Sequence, residues 1–225
     1  MKFINLTRRT EIGANSYYLE VDGHALVIDS GMHPKFEGEE ALPNWKAIAD
    51  RQLEAILVSH SHQDHIGTLP VLMRRQPSAR VFMPEATGDI GDALLHNSVN
   101  VMTRQREELG TTLYPLFTHR ETERAVDLWQ FCPMRQQITI AGERASRGSH
   151  ELTFEFFEAG HVLGAAGILL RARERTIFYT ADVNFDDQTI MQAAAFPEDK
   201  SASRTDSSCG EIDILIMECT RGDHA

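Results

Sequence analysis

Cysteine is scarce in this sequence. Cys132, Cys209 and Cys219 are odd in number and far apart. They argue against a disulfide frame and for reduced thiols, so the expected setting is cytoplasmic. None has C-x-x-C spacing, which argues against a cysteine-based zinc site. Long apolar runs are missing too. Nothing approaches the ~18–20 residues of a membrane span, and the opening Met1–Arg9 lacks the apolar stretch of a signal peptide. No membrane partner is expected. Positive charge is in deficit, with a formal net charge of −11. That argues against a non-specific nucleic-acid binder, which would carry a basic face. It leaves room for a nuclease, because clustered carboxylates and histidines are what a metal site requires, and bound cations invert the local charge. No repeat at a period of ~20–50 residues is visible.

What is present is organised around Leu57-Val58-Ser59-His60-Ser61-His62-Gln63-Asp64-His65-Ile66-Gly67. The preceding Ala55-Ile56-Leu57-Val58 is short, apolar and partly β-branched, so it reads as a buried strand. The stretch from Gly67 to Arg75 suits a helix. The polar residues therefore sit at a strand's C-terminal end, where α/β folds place their sites. His60 and His62, two apart, can point the same way from extended backbone. Asp64 and His65 can face a second point nearby. Imidazoles with a carboxylate suit zinc, with manganese and iron as competitors.

In chain order, Phe3–Leu6 reads as a strand, and Gly13-Ala14-Asn15 as a turn before the strand Ser16–Val21. Asp22-Gly23 is a hairpin signal, and the returning strand His24–Asp29 ends at a carboxylate. Leu42–Leu53 looks helical, Arg80–Pro84 a strand, and Thr87–Leu109 a helix with Leu94, Leu95, Val99 and Met102 on its core side. Thr118 and Glu121 have capping-box spacing, with a helix running on through Trp129. Gln136–Ile140 and Glu151–Phe157 read as strands. His161 follows the latter among glycines, a pattern that suits a close backbone approach. Gly167–Ala172 and Thr176–Thr180 form a hairpin with Asp182 at its exit. Residues 197–211 read as a flexible loop, and Ile212–Met217 as a final buried strand.

The H-x-H-x-D-H run resembles the metal-binding motif of the metallo-β-lactamase superfamily, hydrolases built as an αββα sandwich with one or two metals. Further stretches resemble one branch, the β-CASP nucleases, which include ribonuclease J and the endonuclease of pre-mRNA cleavage. Ile28-Asp29-Ser30-Gly31-Met32-His33 is similar to D-C-G-M-H/N, and His65–Pro70 to H-x-G-A-L-P. Pro115–Thr118 is similar to P-L-Y-T, Gly160–Ala166 to G-H-x-L-G-A-A, and Asp213–Gly222 to D-x-L-I-x-E-S-T-Y-G. Ala181-Asp182 departs from Gly-Asp, and Cys219 and Arg221 from Ser and Tyr.

The resemblance implies that residues 1–225 are the N-terminal portion of an α/β metallo-β-lactamase-like domain, lacking the cap domain and the C-terminal part. It implies one metal on His60, His62 and His161, another on Asp64 and His65, and Asp182 between them. It implies Asp64 and Asp182 as the catalytic carboxylates, with Asp29 and Glu218 supporting the ligands. The implied reaction is hydrolysis of single-stranded RNA by a metal-bound hydroxide at a dinuclear site, with zinc, one or two ions, as cofactor. The branch's general acid is a histidine absent from this sequence. That absence, and the missing cap, imply weak or absent nuclease activity for residues 1–225 and an unequally occupied site. His224 is expected at a frayed end. Two alternatives stand beside this reading. One is another hydrolase of the same fold, acting on a thioester, lactone or small phosphodiester. The other is a non-catalytic scaffold subunit. Oligomeric state is left open.

Overall fold

The structure, a computed structural model, describes residues 1–8, 11, 13–146, 151–197 and 212–219. The chain divides into two compact units, Met1–Phe131 and Cys132–Ala225.

The first unit is a six-stranded sheet: β1 (Lys2–Asn5), β2 (Tyr17–Val21), β3 (His24–Ile28), β4 (Ala55–Leu57), β5 (Arg80–Met83) and β6 (Trp129–Phe131), side by side in chain order. The first three are antiparallel and the last four parallel. Asp22 and Gly23 both have positive φ, as a two-residue hairpin needs, so Val21 pairs with His24. Parallel strands need crossovers. Here α1 (Gln63–Ile66) and α2 (Leu69–Arg75) connect β4 to β5, and α3 (Glu85–Leu109) and α4 (His119–Val126) connect β5 to β6. The register builds a row of neighbours across one face, Tyr18–Val27–Ile56–Val81–Trp129. All five belong to one buried cluster that also takes Leu69 and Leu72 from α2 and Leu95, Val99 and Met102 from α3.

Two sequence expectations fail here. Leu42–Leu53 is not an α-helix. It holds a short 3-10 turn over Trp45–Ile48, behind another over Gly38–Ala41. Pro43 and Asn44 interrupt it, and the buried Trp45 and Ile48 anchor single turns instead of an amphipathic face. Helix α4 does not reach Trp129. It stops at Val126, and Trp129 enters the sheet beside Val81, where its indole fills the core. The capping box at its start is formed in full, with Thr118 and Glu121 each satisfying the other's backbone N–H.

The second unit is a five-stranded sheet in the order β11-β10-β9-β8-β7, comprising β7 (Ile138–Thr139), β8 (Thr153–Glu158), β9 (Ala166–Arg171), β10 (Thr176–Tyr179) and β11 (Ile214–Ile216). Strands β8 and β10 both run antiparallel to the intervening β9. Their C-terminal ends therefore lie at the same edge. Phe157, Leu169 and Phe178 pack there with Phe196 and Ile212. Burial pushes the Cys132 thiol up to about 11, which keeps it protonated and inert. Strand β11 pairs only with β10 among the described residues, and Leu215 on it is 55% exposed, so the expected buried strand is a half-exposed edge. The loop expected at 197–211 lies, beyond Pro197, outside the described residues, as does His224. Among the described residues no helix is long and apolar enough to cross a membrane.

Burial predicts an asymmetry. Ile56→Ala, in the middle of the buried row, should destabilise the protein by ~2–5 kcal/mol. Leu215→Ala, on the edge, should cost under ~1 kcal/mol. Urea denaturation of the two variants checks this.

Candidate metal centre

The parallel pairing of β3 with β4 brings Ile28 opposite Leu57. Asp29 and Ser59 follow at the same edge. Asp29 is fully buried, with φ at 61°, a left-handed conformation that Asp tolerates better than most residues. Its N–H donates to the Leu57 carbonyl oxygen at 2.9 Å. Its carboxylate then reaches across to the histidine loop. Oδ1 accepts from the Ser59 N–H at 2.7 Å, and Oδ2 accepts from Ser59 Oγ at 2.7 Å. Oδ2 also lies 2.8 Å from His65 Nδ1.

In the neutral rings these contacts select two tautomers. A carboxylate only accepts, so the Nδ1 of His65 carries the hydrogen and Nε2 keeps its lone pair. Ser59 has one hydroxyl hydrogen, and it goes to Asp29. Its oxygen, 3.1 Å from His60 Nδ1, therefore accepts from that ring, and His60 also presents its Nε2 lone pair. The rings cluster, with His60 centroids 4.9 Å from His62 and 4.0 Å from His65. His62 sits in extended backbone as the residue that starts α1, while Asp64 and His65 lie within that helix. A set of imidazole nitrogens held with lone pairs outward, beside a carboxylate, has the donor chemistry of a transition-metal site.

Two loops hold this arrangement by backbone contact. The N–H of Ser30 donates to the His65 carbonyl at 2.7 Å, and that of Met32 to the Gln63 carbonyl at 2.8 Å. Thr68 Oγ1 lies 3.1 Å from the Ser30 carbonyl and 2.9 Å from that of Gly31. Gly31 leaves no room for a side chain, because a Cβ there would collide with the Asp64 carbonyl. Beside the loop is a cavity of about 310 Å³, lined in part by Met32, Phe36, Gln63, Asn97 and Gln105.

In the second unit, His161 follows β8 and Asp182 follows β10, and His161 Nε2 lies 3.5 Å from Asp182 Oδ2. Both are partly exposed. Gly160 has φ at 69°, and a Cβ there would meet the Asn184 carbonyl and the Ala194 N–H. The close backbone approach expected around His161 is therefore present. Glu218 Oε1 accepts from the Val183 N–H at 2.9 Å, which pins the residue after Asp182.

Sequence reasoning missed two participants. Ser59 was visible only as a strand terminus beside the histidines. Asn15 read as part of a turn, yet its side-chain amide lies 2.9 Å from His65 Nε2 and 3.3 Å from Asp64 Oδ2. No local signal marks that role, since its partners are 49 and 50 residues away.

Ala181 has φ at 53°, so the departure from Gly-Asp places alanine in a conformation that favours glycine. Ala181→Gly should stabilise the protein by up to about 1 kcal/mol, because relief of strain exceeds the added freedom of the unfolded chain. Thermal unfolding of metal-free protein checks this.

A sequence profile described as the metallo-beta-lactamase superfamily matches residues 9–124. Across 95% of its length the chain is 28% identical to the cleavage and polyadenylation specificity factor subunit 3-I of Arabidopsis thaliana, covering 27% of that protein. Across 99% of its length it is 28% identical to the endoribonuclease ysh-1 of Neurospora crassa, covering 24% of it. The chain thus spans about a quarter of the length of each relative. Among solved structures, a protein of unknown function from Enterococcus faecalis aligns with 81% of the chain and 43% of its own, at a TM-score of 0.53 and 16% identity, a likeness of fold. The profile covers more than half of the sequence, its H-x-H-x-D-H run included, and the chain belongs to the metallo-β-lactamase superfamily.

Proposed function

We propose that this chain is the lactamase-domain portion of a β-CASP-type, metal-dependent ribonuclease that cleaves single-stranded RNA. The observation that carries the reading is the Asp29 carboxylate, which sets the outward Nε2 lone pairs of His60 and His65 in a loop whose motif belongs to this superfamily. Relatives that match nearly the whole chain include an endoribonuclease and a cleavage and polyadenylation factor subunit.

In this reading His60, His62 and His161 hold one ion, and Asp64 and His65 the other, with Asp182 shared. Zinc is the ion proposed, with manganese or iron as competitors. When bound, such ions supply Lewis acidity toward the phosphoryl oxygens and lower the pKa of a water. The protein's own residues do the rest. Asp29 and Ser59 keep the imidazoles in the ligating tautomer. Asp64 and Asp182, the catalytic carboxylates of this reading, would orient the attacking water. Glu218 steadies the turn that carries Asp182. The scarcity of cysteine pairs supports a reducing, cytoplasmic location. The net charge of −11 favours a second reading, in which a small phosphodiester or another ester replaces RNA.

Metal analysis after dialysis tests the ligand set. Wild-type protein should retain zinc or manganese, and His62→Ala and His161→Ala should each empty the same ion. Loss on His62→Ala with full retention in His161→Ala would show that the two residues do not share it. Asp29→Ala should weaken metal binding by ~10–100-fold, less than loss of a ligand. Substrate class is tested by comparing a single-stranded RNA oligonucleotide with bis(p-nitrophenyl) phosphate. Metal-dependent cleavage of RNA, lost in Asp64→Ala, supports the first reading. Turnover of the small ester alone supports the second.

A further inference from the structure

Asn15 occupies an unusual position. Its side-chain nitrogen lies 2.9 Å from His65 Nε2 and 3.3 Å from Asp64 Oδ2. Those two atoms are themselves 3.8 Å apart. An amide NH2 has two hydrogens and no lone pair to offer, so it can serve both acceptors at once. The orientation of the amide is fixed from its other end, because the Tyr17 hydroxyl donates to Asn15 Oδ1 at 3.1 Å. The backbone is fixed as well. The Asn15 N–H donates to the Asp64 carbonyl, and its carbonyl accepts from the Gly31 N–H, both at 2.9 Å.

The tautomer argument makes this contact specific. Because His65 Nδ1 is committed to Asp29, only the Nε2 lone pair is left for Asn15 or for an ion. An ion held by His65 and Asp64 along the same lone-pair directions, at the usual ~2.0–2.2 Å, would overlap the amide nitrogen. The partial positive charge of the NH2 group stands where a second cation would stand.

We propose that Asn15 is a latch on the Asp64/His65 half of the centre, and that an ion enters there only by displacing its amide. The inference rests on the metal reading above and deepens it. Binding to this half then carries a cost that the other ligand set does not share. Occupancy becomes unequal because of a residue that is not a ligand. In the metal-free protein the same amide neutralises the repulsion between two acceptors that would otherwise face each other.

Calorimetric zinc titration of the 225-residue chain, with elemental analysis of the product, tests this. Wild type should bind zinc in a tight and a weak class. Asn15→Ala should tighten the weak class at least tenfold and leave the tight class unchanged. Asn15→Asp should tighten it further, since a carboxylate becomes an extra ligand, and should lower the metal-free Tm, with zinc restoring it. Tyr17→Phe, which frees the amide to rotate, should give a smaller change in the same direction. A weak class that is unchanged or loosened in both Asn15 variants would overturn the latch while leaving the metal reading intact. Two equally tight classes in wild type would overturn it too. Absence of any zinc binding would overturn both.

Discussion

The histidine loop of the first unit depends on one buried carboxylate. Asp29 has no exposed surface, so an ionised group there must be fully hydrogen-bonded or it would be costly. The histidine loop supplies hydrogen bonds to it through the Ser59 backbone, the Ser59 hydroxyl and His65. Removing any of these leaves charge buried without its partner. The strand pairing, the left-handed turn and the tautomers are therefore one arrangement. The sheet brings two strand ends together, the turn aims the carboxylate across the gap, and the carboxylate decides which ring nitrogens face outward.

The second unit reaches a similar result by other means. There His161 lies 3.5 Å from the partly exposed Asp182 carboxylate. Backbone crowding at Gly160 and the strained turn at Ala181 fix where the loops can go. Glu218 holds the N–H after Asp182 from a neighbouring strand end. A buried carboxylate leads in one unit, and backbone crowding with one carboxylate-held N–H leads in the other.

Legibility from sequence followed the range of the interaction. The Asp22-Gly23 hairpin and the Thr118–Glu121 capping box are complete within four residues, and both form as read. The H-x-H-x-D-H run was visible because its donor atoms lie on consecutive backbone. Apolar spacing suggests a helix over 42–53, but the Asn44 N–H donates to the distant Leu6 carbonyl, and single 3-10 turns form instead. Trp129 was assigned to a helix because local propensity ran on past Val126, whereas its place is decided by Val81, nearly fifty residues earlier. Asn15 was lost for the same reason. A residue whose contacts to the site are all distant in sequence has no local signature, however closely it touches the site.

Gly31 carries a consequence for how such a protein can change over time. Because the Asp64 carbonyl fills the space a side chain would need, that position is closed to every other residue, and its neighbours are tied to the histidine loop by main-chain bonds that do not depend on side-chain identity. Drift there would dismantle the centre before it altered preference. The adjacent cavity is different. Asn97 and Gln105 lie on one long helix and contribute side chains to its wall, and they can be exchanged without moving the loop. Substitutions at the wall can alter what the cavity admits while the residues that hold the centre stay in place.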